Sequence, residues 1–245
     1  MSLDRARAQL RVGEEMSLLE DNAKRRYQGS QGRQYHQAKR AIPERAFPWV
    51  ARLRAVKLAP EIRPGDTVVE YGVGLGWNLA ALQCARRIGY DVGEFLEPLV
   101  RGRGIEFVAD TGQLAPNSTD VVICHHTLEH AWQPAAVLAT IRGLLRPSGR
   151  LLLFVPYEKE RRFRRFDPAE SNHHLYSWNV QTLANLVRDA GFNVRYAALA
   201  PFGQERFAAI WAVRLHLGEH GFRALHWMAN RLKHEFEVRV IATRD

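Results

Sequence analysis

Hydrophobic and polar positions along the chain fall into two regimes. Up to about residue 65 the spacing is helical. Met16-Ser-Leu-Leu-Glu20 begins one amphipathic stretch, and Phe47, Val50, Leu53, Val56 and Leu58 mark a second that ends near Pro60. Between them runs Tyr27-Gln-Gly-Ser-Gln-Gly-Arg-Gln-Tyr-His36, polar and glycine-containing, which reads as a loop or as a segment ordered only by ligand.

From Arg63-Pro-Gly-Asp66 onward the pattern alternates between short apolar runs and helical periods. Strands are expected at Thr67–Tyr71, Arg87–Tyr90, Ile105–Ala109, Asp120–Cys124, Arg150–Val155, Asn193–Ala200 and Glu237–Thr243. Helices are expected at Trp77–Gln83, Pro134–Leu145 and Val180–Ala190, with helical pattern over about 205–232. Pro147-Ser-Gly149 and Gly191 supply stop signals. Arg150–Val155 lacks polar alternation, as a strand buried on both faces would. Strands alternating with helices predict an α/β fold with a mostly parallel sheet, in which ligands bind at the carboxyl ends of the strands.

Composition adds boundaries. The 245 residues suit one domain with decorations, and 46% apolar with 25% charged residues is the balance of a globular chain. The domain division expected is a helical extension or lid over 1–62 and a core over 63–245. The net charge of +9 suits an anionic partner, with a solvated basic surface as the plain alternative. Cys84 and Cys124 are too few for a disulfide framework and form no CxxC pair, so a cytoplasmic location is expected. The first residues carry Asp4, Arg5, Arg7 and Arg11 and lack the apolar stretch of a leader, and no apolar run approaches the ~20 residues of a membrane span.

The strongest local signal is Glu70-Tyr-Gly-Val-Gly-Leu-Gly76, with a strand before it. Glycines there permit a tight turn and a close ligand. Trp77 stands where a dinucleotide fingerprint needs its last glycine, and no GKS or GKT follows, so neither a pyrophosphate turn nor a P-loop is present. An acid two residues before the first glycine repels phosphate and suits a ligand bearing an ammonium group.

With this loop, Gly89-Tyr-Asp-Val92, Phe107-Val-Ala-Asp110, Asp120-Val-Val-Ile-Cys124, Leu128-Glu-His130 and Leu144-Leu-Arg-Pro-Ser-Gly-Arg-Leu-Leu-Leu153 appear in order. Over about residues 63 to 200 the chain thereby resembles the class I S-adenosylmethionine-dependent methyltransferases, particularly the small-molecule group related to quinone-biosynthesis enzymes. The resemblance implies a Rossmann-like, mostly parallel seven-stranded sheet and S-adenosyl-L-methionine as cofactor. It implies that Gly72, Gly74 and Gly76 bring backbone against the methionine part, and that Glu70 faces its ammonium side. It further implies that Asp91 accepts from the ribose hydroxyls, with Glu94 and Glu97 as rivals, and that Asp110, with Thr111 beside it, accepts from the adenine amino group. Cys124 and His125 would flank the methionine moiety. The family more often has Gly-Cys-Gly where this chain has Gly72-Val-Gly74.

Histidines crowd two later loops: His125, His126 and His130 with Glu129, then His173 and His174. In the expected topology both loops open on the acceptor side. Methyl transfer chiefly needs alignment, and a hydroxyl acceptor also benefits from a base, for which histidine is suited. His126 and His174 are the candidates for catalysis. His126-x-x-Glu129-His130 plus a distant histidine also resembles the magnesium site of small-RNA 2′-O-methyltransferases, but imidazoles suit magnesium poorly, and no metal is expected.

Residues 159–165 carry five cations and one anion, with Phe163 and Phe166 interleaved, which suits an anionic acceptor or RNA. Tyr27, Tyr35 and His36 of the extension are expected to close on ligand, a homodimer interface being the alternative. Leu217, Phe222, Leu225, Trp227, Met228 and Leu232 form an amphipathic pattern read as a packing face rather than a membrane-surface helix. The expected activity is methyl transfer, with O-methylation favoured, to a small-molecule or glycan- or lipid-linked acceptor. An RNA methyltransferase and a non-catalytic cofactor-binding interaction protein are the alternatives.

Overall fold

The computed structural model describes residues 22–39, 42–158, 165–168, 170 and 172–245. Its frame is a seven-stranded sheet: β1 (Thr67–Tyr71), β2 (Arg86–Tyr90), β3 (Glu106–Val108), β4 (Thr119–His125), β5 (Leu145–Pro156), β6 (Phe192–Phe202) and β7 (Glu235–Arg244). The order across the sheet is β3-β2-β1-β4-β5-β7-β6. The first five strands pair in parallel, while β7 enters antiparallel between β5 and β6. Strand order reverses between β1 and β4, the place where ligands bind in such sheets.

The helices are α1 (Gly29–Lys39), α2 (Phe47–Leu58), α3 (Glu97–Arg101), α4 (Pro134–Leu144), α5 (Val180–Asp189), α6 (Glu205–Arg214) and α7 (Gly218–Leu232). Side chains of the central strands alternate between two apolar layers, as a period of two requires. Val69, Val122, Cys124, Leu151 and Leu153 pack with Leu138 and Ile141 of α4 and Leu183 and Val187 of α5. Val68, Val121, Ile123, Leu152 and Phe154 pack with Leu58 of α2 and with Leu79, Leu82 and Leu96. Every residue of β4 is buried, which is why that strand tolerates no polar alternation. A third cluster joins Ala46 and Val50 to Ala208, Ala209 and Ala212 of α6 and Phe222 of α7.

Two elements differ from the sequence reading. Trp77–Gln83 is a series of turns and not a helix. Only nine residues, 77–85, remain between the glycine loop and β2, and at 1.5 Å per residue they would span about 13 Å as a helix, short of the ~17 Å length of the neighbouring strand. The segment therefore stretches, keeping the Ala80 N–H to Gly76 bond at 3.1 Å and burying Leu79 and Leu82. Conversely, the polar run from Tyr27 is largely helical, since α1 begins at Gly29. Gly32 of α1 lies so close to the Tyr27 carbonyl that a Cβ there would sit 2.2 Å from its oxygen, so the glycine is a contact surface rather than a breaker.

Met16–Glu20 and residues 159–164 of the basic loop lie outside the described residues. No helix among the described residues is long and apolar enough to cross a membrane.

Candidate functional site

A cavity of about 1340 Å³ opens at the carboxyl ends of β1, β2, β4 and β5. Its size exceeds the ~300–1,000 Å³ of a site for one drug-sized ligand, leaving room for two reactants side by side.

At one end the chain turns through Gly72, Gly74 and Gly76, all at positive φ (+83°, +50° and +74°). A Cβ on Gly72 would meet Thr127 Oγ1 at 2.2 Å, and one on Gly76 would meet Ile105 at 2.9 Å. At Gly74 the only neighbour within 4 Å among the described residues is His36 at 3.7 Å, so this turn presents bare backbone to the cavity. Asp91, one residue past β2, fixes it: its Oδ2 accepts from Gly74 N–H and its Oδ1 from Gly93 N–H, both at 2.9 Å. Asp91 lines the cavity, whereas its rival Glu97 is spent on Arg101 at 2.7 Å on the surface. Asp110 caps the turn Thr111–Gln113 by accepting from Gly112 N–H, and it too faces the cavity with Thr111.

Glu70 is buried, and burial pushes its carboxyl up to about 8 despite a 2.5 Å hydrogen bond from Asn78. Its Oε2 and the Asn78 Oδ1 are buried with no hydrogen-bond partner among the described residues. Two orphaned acceptors beside an exposed glycine backbone fit a ligand that brings N–H donors and positive charge, as an α-ammonium does.

The other end is built from histidines and carboxylates, and the structure sorts the histidines into two groups. His125 and His126, at the end of β4, stack at 4.4 Å. Both reach Glu237 of β7, at 3.5 and 3.3 Å, and His125 Nε2 also lies 2.9 Å from Lys57 Nζ of α2. Lys57 in turn donates to Glu237 at 2.8 Å. Burial holds His125 well below the usual histidine range, and holds His126 and the Lys57 ammonium below theirs. Burial alone would raise Glu237, but the hydrogen bonds from the two histidines and the Lys57 charge keep it below the ordinary carboxylate range.

The second group centres on Glu129, His130 and His174. The segment after the basic loop is tied across β4 because Leu175 and Tyr176 N–H donate to the Glu129 carbonyl. That places the His174 ring 4.9 Å from His130. His174 Nδ1 is held by Glu158 at 2.8 Å and His130 Nδ1 by Tyr27 Oη at 2.9 Å. Tyr35 and His36 continue the aromatic contact from Tyr27 toward Phe95.

Most sequence-derived candidates therefore line the cavity: Glu70, Gly72, Gly74, Asp91, Asp110, Thr111, His125, His126, Glu129, His130 and His174. Three do not. Gly76 shapes the turn, His173 lies outside the wall, and Cys124 points into the apolar layer beside Val69 and Leu138 because strand alternation turns it away from His125. His126 parts from Glu129 and His130, so the sequence grouping His126-x-x-Glu129-His130 is not a spatial one. Among the described residues, the donor triads whose atoms come within 4.8 Å of one another are His125–His126–Glu237 and Glu129–His130–His174. The first set already holds the Lys57 ammonium, which opposes a second cation.

Sequence reasoning missed Asn78, Lys57, Glu158 and Glu237. Glu237 had a signal: it is an acid at the head of the apolar positions Val238, Val240, Ile241 and Ala242 of its strand. Glu158 and Lys57 had none, because each is defined by a partner elsewhere in the chain.

A family model described as a methyltransferase domain matches residues 36–197. A probable S-adenosylmethionine-dependent methyltransferase of Mycobacterium tuberculosis (strain CDC 1551 / Oshkosh) is 30% identical over 157 residues, covering 59% of this chain and 55% of that protein. One from Mycolicibacterium smegmatis is 32% identical over 141 residues, 53% of each chain. The matched region thus spans about half the length of these relatives. Among solved structures, 1,6-didemethyltoxoflavin-N1-methyltransferase of Burkholderia thailandensis, with its substrate and S-adenosylhomocysteine, shares 20% identity at a TM-score of 0.59, covering 95% of this chain and 90% of that one. The [4+2]-cyclase SpnF shares 18% at a TM-score of 0.56, covering 79% and 80%. A methyltransferase and a cyclase on one frame show that these likenesses carry the fold alone.

Proposed function

The chain belongs to the methyltransferase domain family, a class I fold that takes S-adenosylmethionine, and we propose from that premise that it transfers a methyl group to a hydroxyl of a small-molecule or glycan- or lipid-linked acceptor. The observation that carries the proposal is one continuous cavity with two chemically different ends.

S-adenosylmethionine supplies a methyl carbon already activated by its sulfonium. The rest is positioning. Gly72 and Gly74 offer backbone, Glu70 and Asn78 take the ammonium side, Asp91 the ribose, and Asp110 with Thr111 the adenine. Asp91 uses one lone pair of each oxygen on the loop and keeps others for hydroxyl donors. The extension, taken as residues 1–62 ahead of a core over 63–245, bridges the two ends, with His36 beside Gly74 and Tyr27 and Tyr35 against His130.

At the acceptor end His174 is the preferred base. Glu158 holds its Nδ1, which leaves Nε2 to take the hydroxyl proton. His126 is the second candidate, oriented by Glu237. Its burial favours the neutral form, so it can accept a hydrogen bond from the acceptor but gains less from a proton than an imidazole of ordinary basicity.

Calorimetric titration with S-adenosylmethionine and S-adenosylhomocysteine tests the cofactor half. A transfer assay with labelled methyl donor against hydroxylated metabolites, glycans, lipid-linked sugars and RNA tests the acceptor half. Micromolar cofactor binding with turnover on a hydroxyl acceptor is the expected result. Salt-sensitive turnover on RNA alone would move the assignment to nucleic acid, and binding with no turnover across the screen would favour a non-catalytic role.

A further inference from the structure

Seven of the twelve large apolar side chains that are exposed among the described residues lie between Phe207 and Leu232, in the hairpin of α6 and α7. The sequence pattern there suggested a packing face, but of its residues only Phe222 is buried and Leu225 packed beside it, while Leu217, Trp227, Met228 and Leu232 are exposed. Ala208, Ala209 and Ala212 of α6 and Phe222 of α7 bury themselves against α2. Phe207, Trp211, Trp227 and Met228 lie on the opposite sides of the same helices and stay in solvent, Trp227 at 59% exposed and Met228 at 51%. Because both helices rest on α2, their outer sides form one surface.

Charge on that surface has a single sign. The hairpin's two acids, Glu205 and Glu219, turn inward onto Arg54 and Arg52 of α2. Arg206, Arg214 and Arg231 have no ion-pair partner among the described residues. Arg231 instead lies 4.5 Å above the Trp227 ring and Arg214 5.7 Å from Trp211. Tryptophan and leucine interspersed with arginine, without a free acid, is the composition of a helix lying in the headgroup region of an anionic bilayer. The surface also reaches the site: Leu232, 86% exposed, and Lys233 belong to both the end of the hairpin and the cavity wall.

We propose that the α6–α7 hairpin docks the protein on an anionic membrane surface, with the cavity mouth at the bilayer. That the acceptor is lipid-linked and enters from the membrane rests on the function proposed above; the docking itself does not.

The test is co-sedimentation of the full chain with vesicles of phosphatidylcholine alone and of equal parts phosphatidylcholine and phosphatidylglycerol. Two variants accompany it, Arg214→Glu with Arg231→Glu, and Trp211→Ser with Trp227→Ser. The expected result is uptake on the anionic vesicles only, reversed by salt, and reduced about tenfold or more in each variant. S-adenosylhomocysteine titration checks that the variants remain folded, and reads the methyltransferase assignment separately from lipid binding. Absence of uptake on the anionic vesicles, or uptake indifferent to lipid charge or to both variants, overturns the proposal. So does a dimer in light scattering that the tryptophan variant splits while the native chain ignores lipid, since a second copy would then own this face.

Discussion

The two ends of the cavity are built on different principles. The cofactor end is backbone held by near neighbours: Gly74 N–H on Asp91, seventeen residues away, and Asn78 on Glu70, eight away. The acceptor end is side chain held by distant strands and helices: Lys57 on Glu237 across 180 residues and His126 on Glu237 across 111. A loop that grips a shared cofactor can stay local. A pocket that selects an acceptor is free to draw on whatever the fold brings near.

The largest effect that separates them is expected from Glu237→Ala. It leaves the buried Lys57 ammonium and two histidines without their carboxylate, and breaking a buried pair costs about 3–5 kcal/mol. Thermal unfolding should fall by many degrees. An unchanged melting temperature would mean that the acceptor end is a solvated surface rather than a buried network.

Next comes Gly74→Val. Positive φ with a β-branched side chain costs about 1–3 kcal/mol, and the new methyls project where the cavity is otherwise open. Cofactor affinity should fall about a hundredfold or more in calorimetry with the fold intact by circular dichroism. Retained affinity would remove the loop from the site.

His174→Ala should lower kcat by about a hundredfold with little change in KM, the lower range for a lost general base, and Glu158→Gln should do so more weakly. If His126→Ala carries that effect instead, the catalytic histidine belongs to the Glu237 group and the proton leaves on the opposite wall.

This contrast also explains what could be read in advance. The seven strands, the double burial expected of Arg150–Val155 and found for Leu151–Val155 of β5, and the place of Glu70, Asp91 and Asp110 on the cavity wall were legible because hydrophobic period and glycine spacing are local properties. Helix at Trp77–Gln83 was misread because the decisive quantity, nine residues to recross a strand, depends on where β2 starts. The Tyr27–His36 run was misread because its helix is secured by contacts to Phe95 and His130, which composition does not record. The histidines were found but grouped wrongly: adjacency in sequence put His126 with His130, while the turn at His126, φ +50°, sends it to Glu237.

The smallest effect is the most specific to the cofactor end. Glu70 is raised from 4.5 to about 8 by burial, so the folded chain holds a proton there that the unfolded chain releases. Between those pH values the folded state binds more protons, and stability conferred by this group therefore falls as pH rises. A cationic ligand reverses the preference, since it binds the ionised carboxylate. Its affinity should climb as pH approaches about 8, with a proton released on binding that calorimetry detects as a dependence on buffer ionisation enthalpy. Glu70→Gln should flatten both the stability slope and the proton release, and weaken binding only about tenfold, the scale of one charged hydrogen bond. A proton release that survives in Glu70→Gln would show that this carboxyl is not its source and would take the ammonium away from Glu70.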